Sequence, residues 1–160
     1  EKAHQLGIKV MFNPGECELE QLPKLIGLLS DVDVLLVNKR EEAQIVTGVV
    51  LRELLAGLAN YCQTVIITDG AMGSIATNHE EVWRLGVYEQ VRMRDATGAG
   101  DAFCAGFLAK YADGAKFVDA LQFGAANAAS VVQKYGAKAG ILTSDAKLHP
   151  MVMQKIEDLL

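Results

Sequence analysis

A chain of 160 residues, 51% hydrophobic and 22% charged, carries enough apolar matter for a proper core and too much for disorder. Fifteen basic against twenty acidic residues, a formal charge of −5 and no Lys/Arg-rich stretch argue against nucleic-acid binding. No apolar run reaches the roughly 18 residues of a membrane span, and three cysteines without C-x-x-C spacing point to a reducing, cytoplasmic setting.

From the amino end, residues 8–12 form a short β-rich run closed by Asn13-Pro14-Gly15, which is turn chemistry. Leu22, Leu25, Ile26 and Leu29 follow at helical spacing, predicting a helix over about 19–30 with Pro23 near its first turn. Residues 33–37 are apolar almost throughout, as in a strand buried on both faces of a parallel sheet. A helix is expected over 39–47, stopped by Gly48, then another through Leu51, Leu54, Leu55 and Leu58. A second buried strand spans 64–68. Short runs at 74–77, 81–85 and 87–92 read as antiparallel strands at one side of the sheet. Beyond Ala99 two helices are expected, one to Asp113-Gly114 and one from Phe117 to Tyr135, with a short terminal helix from Pro150 through Met151, Ile156 and Leu159. His4, His79 and His149 read as surface residues and Cys104, between Phe103 and Ala105, as a buried thiol.

Strands alternating with helices give a single α/β domain with a mainly parallel sheet. Ligands in such sheets bind beyond the carboxyl ends of the strands, which directs attention to 13–15, 38–41 and 68–73. The most informative segment lies further on, at Asp95-Ala96-Thr97-Gly98-Ala99-Gly100-Asp101. Gly98, Ala99 and Gly100 lead straight into a helix, so the backbone can approach an anion and the first N–H groups have no helical partner. A carboxylate at Asp101, beside such an anion hole, suits phosphoryl transfer to an alcohol. The same residues also fit a plain helix cap by Thr97 or Asp101, and local pattern leaves both open. No P-loop is present, and a dinucleotide fingerprint read from Gly98 would need glycine where Phe103 stands. The first loop, Asn13-Pro14-Gly15, likewise lacks the glycines of a nicotinamide oxidoreductase.

Residues 95–103, with Ala105-Gly106-Phe107 after them, closely resemble the second signature of the ribokinase-like (PfkB) carbohydrate kinases, D-T-T-G-A-G-D-x-F-x-x-G, with Ala96 in place of a threonine. Asn38-Lys39-Arg40-Glu41 is similar to the family's N-x-x-E motif, which helps place magnesium and the nucleotide phosphates; it also reads as a capping box. Thr68-Asp69-Gly70-Ala71-Met72-Gly73 resembles the T-x-G-x-x-G loop along the ATP phosphates, with an Asp-Gly hairpin turn as the plain alternative. Asn127 falls where the family places an adenine-side contact, against the alternative of a polar residue on the solvent side of a helix.

The resemblance implies the C-terminal portion of a three-layer α/β/α ribokinase-like fold, and an ATP- and Mg²⁺-dependent sugar kinase. In it Asp101 is the base and the N–H groups of Gly98, Ala99, Gly100 and Asp101 form the anion hole. Asn38 and Glu41 serve magnesium directly or through water, and Thr68, Asp69, Gly70 and Gly73 serve the nucleotide. Asp95 and Thr97 occupy positions that hold a monovalent cation such as K⁺ in many relatives, with the 136–140 loop completing that site. Family members run to about twice this length. The resemblance therefore implies a missing N-terminal half with the sugar contacts and lid, an open sheet edge or apolar flank where it belonged, and an isolated piece inactive alone. Fructose, ribose, a keto-deoxy sugar acid, a sugar phosphate or a nucleoside all fit as acceptor, and a homodimer of the full-length protein fits the family. Arg92 and Arg94 read as a solvated edge strand or as contacts to an acidic substrate. A non-catalytic nucleotide-binding or regulatory domain on the same fold is the second reading.

Overall fold

The structure, a computed structural model, describes residues 2–46, 48 and 50–157. The chain divides into two compact units, residues 1–84 with 154–160, and residues 85–153.

The first unit opens with a single helical turn, α1 (Lys2–Gln5), and the short strand β1 (Met11–Phe12). The helix expected over 19–30 is split into α2 (Glu16–Leu19), α3 (Leu22–Leu28) and a 3-10 turn at Leu29–Asp31. Pro23 explains the break: within the first turn of α3 it lacks the N–H that a helix continuing from α2 would use. Next come β2 (Val34–Asn38), α4 (Lys39–Ile45), α5 (Leu51–Ala59) and β3 (Thr64–Thr68). The chain then turns into β4 (Ser74–Thr77) and β5 (Val82–Leu85). Thr47, at the expected end of α4, lies outside the described residues.

The six strands form one mixed sheet in the order β1-β2-β3-β4-β5-β6, with β6 spanning Met153–Ile156. β1, β2 and β3 run parallel, and β3 pairs antiparallel with β4. The apolar β2 and β3 are buried over their first four residues, as strands covered on both faces should be. Leu35, Val37, Val65 and Ile67 share one core with Leu54, Leu55 and Leu58 of α5. β1 is a half-buried edge strand, and Leu6, Ile8 and Leu28 are exposed in this unit. The terminal helix expected from Pro150 is instead β6. The short apolar run at 151–156 fits either conformation, and the extended strand lets Ile156 pack against the core. Leu159, part of that expectation, lies outside the described residues.

The second unit is built on α6 (Ala99–Ala112) and α7 (Phe117–Val131). The helices approach closely because both carry glycine at the crossing. A Cβ on Gly124 would sit 2.9 Å from the Phe103 carbonyl oxygen, and one on Gly106 would sit 3.2 Å from the Gly124 Cα. Phe107, Tyr111 and Phe117 close the far end as an aromatic cluster with ring centroids 5.0–6.0 Å apart. Three expectations change here. Residues 87–92 turn rather than extend, with the Val91 N–H bonded to the Tyr88 carbonyl, so Arg92 and Arg94 lie on an exposed loop and not on an edge strand. α7 stops at Val131 and a further turn carries Tyr135 into solvent at 75% exposure, so the apolar spacing outruns the surface available to bury it. Cys104 is half-buried rather than buried, and none of the three cysteines forms a disulfide. The three histidines are exposed.

Candidate phosphate loops and candidate base

In the first unit, sheet register sets the site. Asn38, the last residue of β2, pairs with Thr68, the last residue of β3, and Thr68 pairs in turn with Ser74. The N-x-x-E and T-x-G segments therefore begin side by side at the carboxyl ends of the parallel strands. Asn38 and Glu41 form a reciprocal cap. Asn38 Oδ1 accepts from the Arg40 and Glu41 N–H groups at 2.9 and 3.0 Å, and Glu41 Oε2 accepts from the Asn38 N–H at 2.8 Å. The capping-box alternative thus describes the geometry. It still leaves the Asn38 amide NH₂ and Glu41 Oε1 outside the cap.

The 68–73 loop is wound into a 3-10 turn (Gly70–Met72). The Asp69 N–H donates to the Gly73 carbonyl at 2.8 Å, and Gly73 adopts φ +85°, a conformation that glycine reaches without strain. Gly70 sits on the outside of the turn, where an added Cβ would meet nothing. Lys39 was not singled out in the sequence, yet its Nζ lies 3.1 Å from Asp69 Oδ2. That ion pair ties one motif to the other and leaves the Asp69 carboxylate less available to a magnesium ion. Opposite charges one residue beyond two adjacent strand ends were the only sequence signal for it.

In the second unit, Gly98 caps α6 with φ +77°. The Ala99 N–H is already taken by the Ala96 carbonyl at 3.2 Å, and the Gly98 carbonyl accepts from Ala102 at 2.8 Å. Of the four N–H groups expected in the anion hole, that of Ala99 is thus taken, whereas for those of Gly98, Gly100 and Asp101 no protein acceptor is found among the described residues. A Cβ on Gly100 would have open space around it, so the region over this turn is clear. Asp101 is exposed in the same turn. One turn on, burial pushes the Cys104 thiol pKa up and the Asp101 charge raises it further.

Asp95 closes the loop. Its Oδ1 accepts from the Thr97 N–H at 2.9 Å and its Oδ2 from the Gly136 N–H at 3.0 Å. The Gly136 N–H, then the Thr97 hydroxyl and N–H, hold this carboxyl below the usual carboxylate range. A carboxyl depressed in the folded state adds stability above its ordinary value of 3.8 and loses it as pH falls through the folded value. The Gly136 amide resonance should therefore titrate below that ordinary value, and Asp95→Asn should abolish the titration. An inflection at or above the ordinary value would refute the tie.

Asn127 is neither solvent-facing nor open to a ligand. It is 2% exposed, its Nδ2 donates to the Ala102 carbonyl at 2.7 Å, and its Oδ1 accepts from the Leu142 N–H at 2.8 Å. The expected adenine contact is thus not what this side chain makes. A cavity of about 860 Å³ does lie beside α7, lined by Ala126, Ala129, Ser130 and Gln133 and by the 87–91 and 147–152 loops. Neither Asn127 nor the 95–101 loop lines it. No group of three or more His, Cys, Asp or Glu side chains among the described residues is placed to hold a metal. One carboxylate and one amide are a donor set that fits magnesium, an ion that keeps most of its waters and takes phosphate oxygens for the rest. No helix among the described residues is long and apolar enough to cross a membrane.

Comparison with known proteins bears on the same segments. The model of the pfkB family of carbohydrate kinases matches residues 2–144. Ribokinase of Haemophilus influenzae is 31% identical over 153 residues, covering 91% of this chain and 48% of that protein. The crystal structure of the Methanocaldococcus jannaschii nucleoside kinase, a ribokinase-family member, superposes with a TM-score of 0.71 at 26% identity, over 84% of this chain and 44% of that one. A candidate ribokinase II of Escherichia coli, solved with ATP and Mg²⁺, superposes with a TM-score of 0.76 at 23% identity, over 87% and 47% respectively. The chain spans about half the length of the curated relatives it matches. The fold is ribokinase-like, and a family match running from the first helix past the loop after α7 takes in every motif described above. The chain belongs to the pfkB family of carbohydrate kinases.

Proposed function

We propose that the whole protein transfers the γ-phosphate of ATP to a hydroxyl of a sugar or sugar-like alcohol, and that this chain supplies the phosphate loops and the base. The observation that carries the reading is the first turn of α6: two N–H groups without protein acceptors, clear space above them, and the Asp101 carboxylate in the same turn. The Gly100 and Asp101 N–H groups hold the oxygens of the transferring phosphate as charge builds there, with no reorganisation needed at that moment. Asp101 accepts the proton of the attacking hydroxyl and orients its oxygen for in-line attack. In the first unit, Thr68, Asp69, Gly70 and Gly73 line the nucleotide phosphates. Asn38 and Glu41 orient waters of a magnesium ion that, when bound, offsets phosphate charge. Asp95 and Thr97 belong to the same proposal as donors to a monovalent cation, sharing oxygens that already fix the loop. Ribokinase and nucleoside kinase relatives support a ribose-bearing or similar polyol acceptor.

The test is phosphate transfer by the whole protein from Mg-ATP to a panel of sugars, sugar acids, sugar phosphates and nucleosides, beside calorimetry with Mg-ATP. Transfer to one acceptor class supports the kinase. Tight Mg-ATP binding with no transfer to any acceptor replaces it with a non-catalytic nucleotide-binding domain.

A further inference from the structure

We infer that Asn127 is a positioning residue: it fixes the first turn of α6, which carries Asp101, to the segment after α7, and makes no contact with the nucleotide base. The inference goes beyond the kinase reading and rests on it only for the kinetic part of its test.

Asn127 bridges two pieces of backbone. Its Nδ2 bonds the carbonyl of Ala102, the residue directly after Asp101, and its Oδ1 bonds the N–H of Leu142. Both bonds are buried or partly buried, where an unsatisfied amide is costly, so the side chain is held from both ends. Gly106 leaves the slot in which it lies: a Cβ there would sit 3.0 Å from the Asn127 Cβ and 3.2 Å from its Nδ2. The segment reached through Leu142 is itself anchored to the same loop upstream. Gly136 donates to Asp95, and Ala137 packs so closely on Gly98 that no side chain fits between them. The turn bearing Asp101 is therefore braced on one side by Ala137 and on the other by Asn127.

The base-contact role fails on placement. The face of α7 that lines the cavity carries Ala126, Ala129 and Ser130, with Gln133 just beyond the helix, whereas Asn127 points into the α6 contact. A side chain that aims Asp101 should alter the rate of transfer and not the recognition of the base. A displacement of the order of 1 Å at such a group lowers turnover by about 100-fold.

The variants are Asn127→Ala, which removes both bonds, and Asn127→Asp, which keeps the acceptor for Leu142 but sets a carboxylate against the Ala102 carbonyl. In the whole protein, both should lower kcat by roughly 10- to 100-fold. KM for ATP should stay within about twofold, and the ATP-to-GTP preference should not change. Hydrogen exchange at the Leu142 amide should accelerate about tenfold or more in Asn127→Ala and stay near wild type in Asn127→Asp. A raised KM for ATP with a narrowed ATP-to-GTP ratio and unchanged kcat would assign the base contact and overturn the inference. Unchanged exchange at Leu142 in Asn127→Ala overturns it too. If that variant does not fold, the kinetics of Asn127→Asp decide. A wild-type protein that transfers no phosphate defeats the kinase reading, while the exchange result still decides the brace.

Discussion

Asp101→Asn in the whole protein should lower kcat for phosphate transfer by about 100- to 10,000-fold while leaving KM for ATP nearly unchanged. The two side chains have almost the same shape, and Asp101 is exposed at the start of α6 with no packing role, so the substitution leaves the fold alone. What it removes is the ability to accept a proton. Asparagine can still accept a hydrogen bond from the attacking hydroxyl, which keeps the acceptor in place and confines the loss to the chemical step. The Gly100 and Asp101 N–H groups, being backbone, remain to hold the transferring phosphate. Residual transfer should come from them and from positioning. A variant turning over near the wild-type rate would remove Asp101 from the mechanism and leave only the anion-binding turn. A variant with weakened ATP binding and normal kcat would move Asp101 from base to phosphate or metal contact.

The elements that sequence made legible are those with strong periodicity or strong local chemistry. β2 and β3 announce themselves as unbroken apolar runs, and α5, α6 and the first four turns of α7 as 3–4 spacing, because burial on two faces or one leaves no other pattern. The elements misread depend on what lies across space. Met151 and Ile156 fit a helix or a strand equally in a short run, and the open edge of β5 decides the matter in favour of β6. Local chemistry also outlined the candidate site, since Gly98-Ala99-Gly100 before a helix leaves backbone that an anion can approach. Its partners were not visible. Asp95 with Gly136 is a contact across 41 positions, Lys39 with Asp69 one across 30, and Asn127 with Ala102 one across 25. The motifs point to Asp95, Asp69 and Asn127 singly, but the partner each one meets is set by the fold and not by any local pattern.

Gly98→Ala and Gly100→Ala, two residues apart, should behave in opposite ways. At Gly98 the backbone is left-handed, φ +77°, which costs any other residue about 1–2 kcal/mol. The added Cβ would also fall 2.7 Å from the Ala137 Cβ and 2.8 Å from the Ala137 Cα and carbonyl oxygen. Two of those three atoms are backbone, so relief requires the 136–142 segment to move, and overpacking of this kind costs about 1–3 kcal/mol more. The movement cannot stay local. Gly136 is bonded to Asp95 and Leu142 to Asn127, so displacing Ala137 pulls on both braces of the α6 turn. Gly98→Ala should therefore lower the thermal midpoint by several degrees and abolish phosphate transfer together. Gly100 has ordinary helical geometry and open space where its Cβ would go. Alanine there is as good or better for the helix, by up to about 1 kcal/mol, so the thermal midpoint should hold or rise. The same methyl group, however, would stand in the space that a phosphate needs to reach the Gly100 and Asp101 N–H groups. Gly100→Ala should thus keep its stability and lose Mg-ATP affinity or turnover by tenfold or more. Paired thermal unfolding and Mg-ATP calorimetry read both. If Gly100→Ala is stable and fully active, the clear space over α6 is not where the phosphate sits; if Gly98→Ala is stable, the close packing on Ala137 is not what shapes the turn.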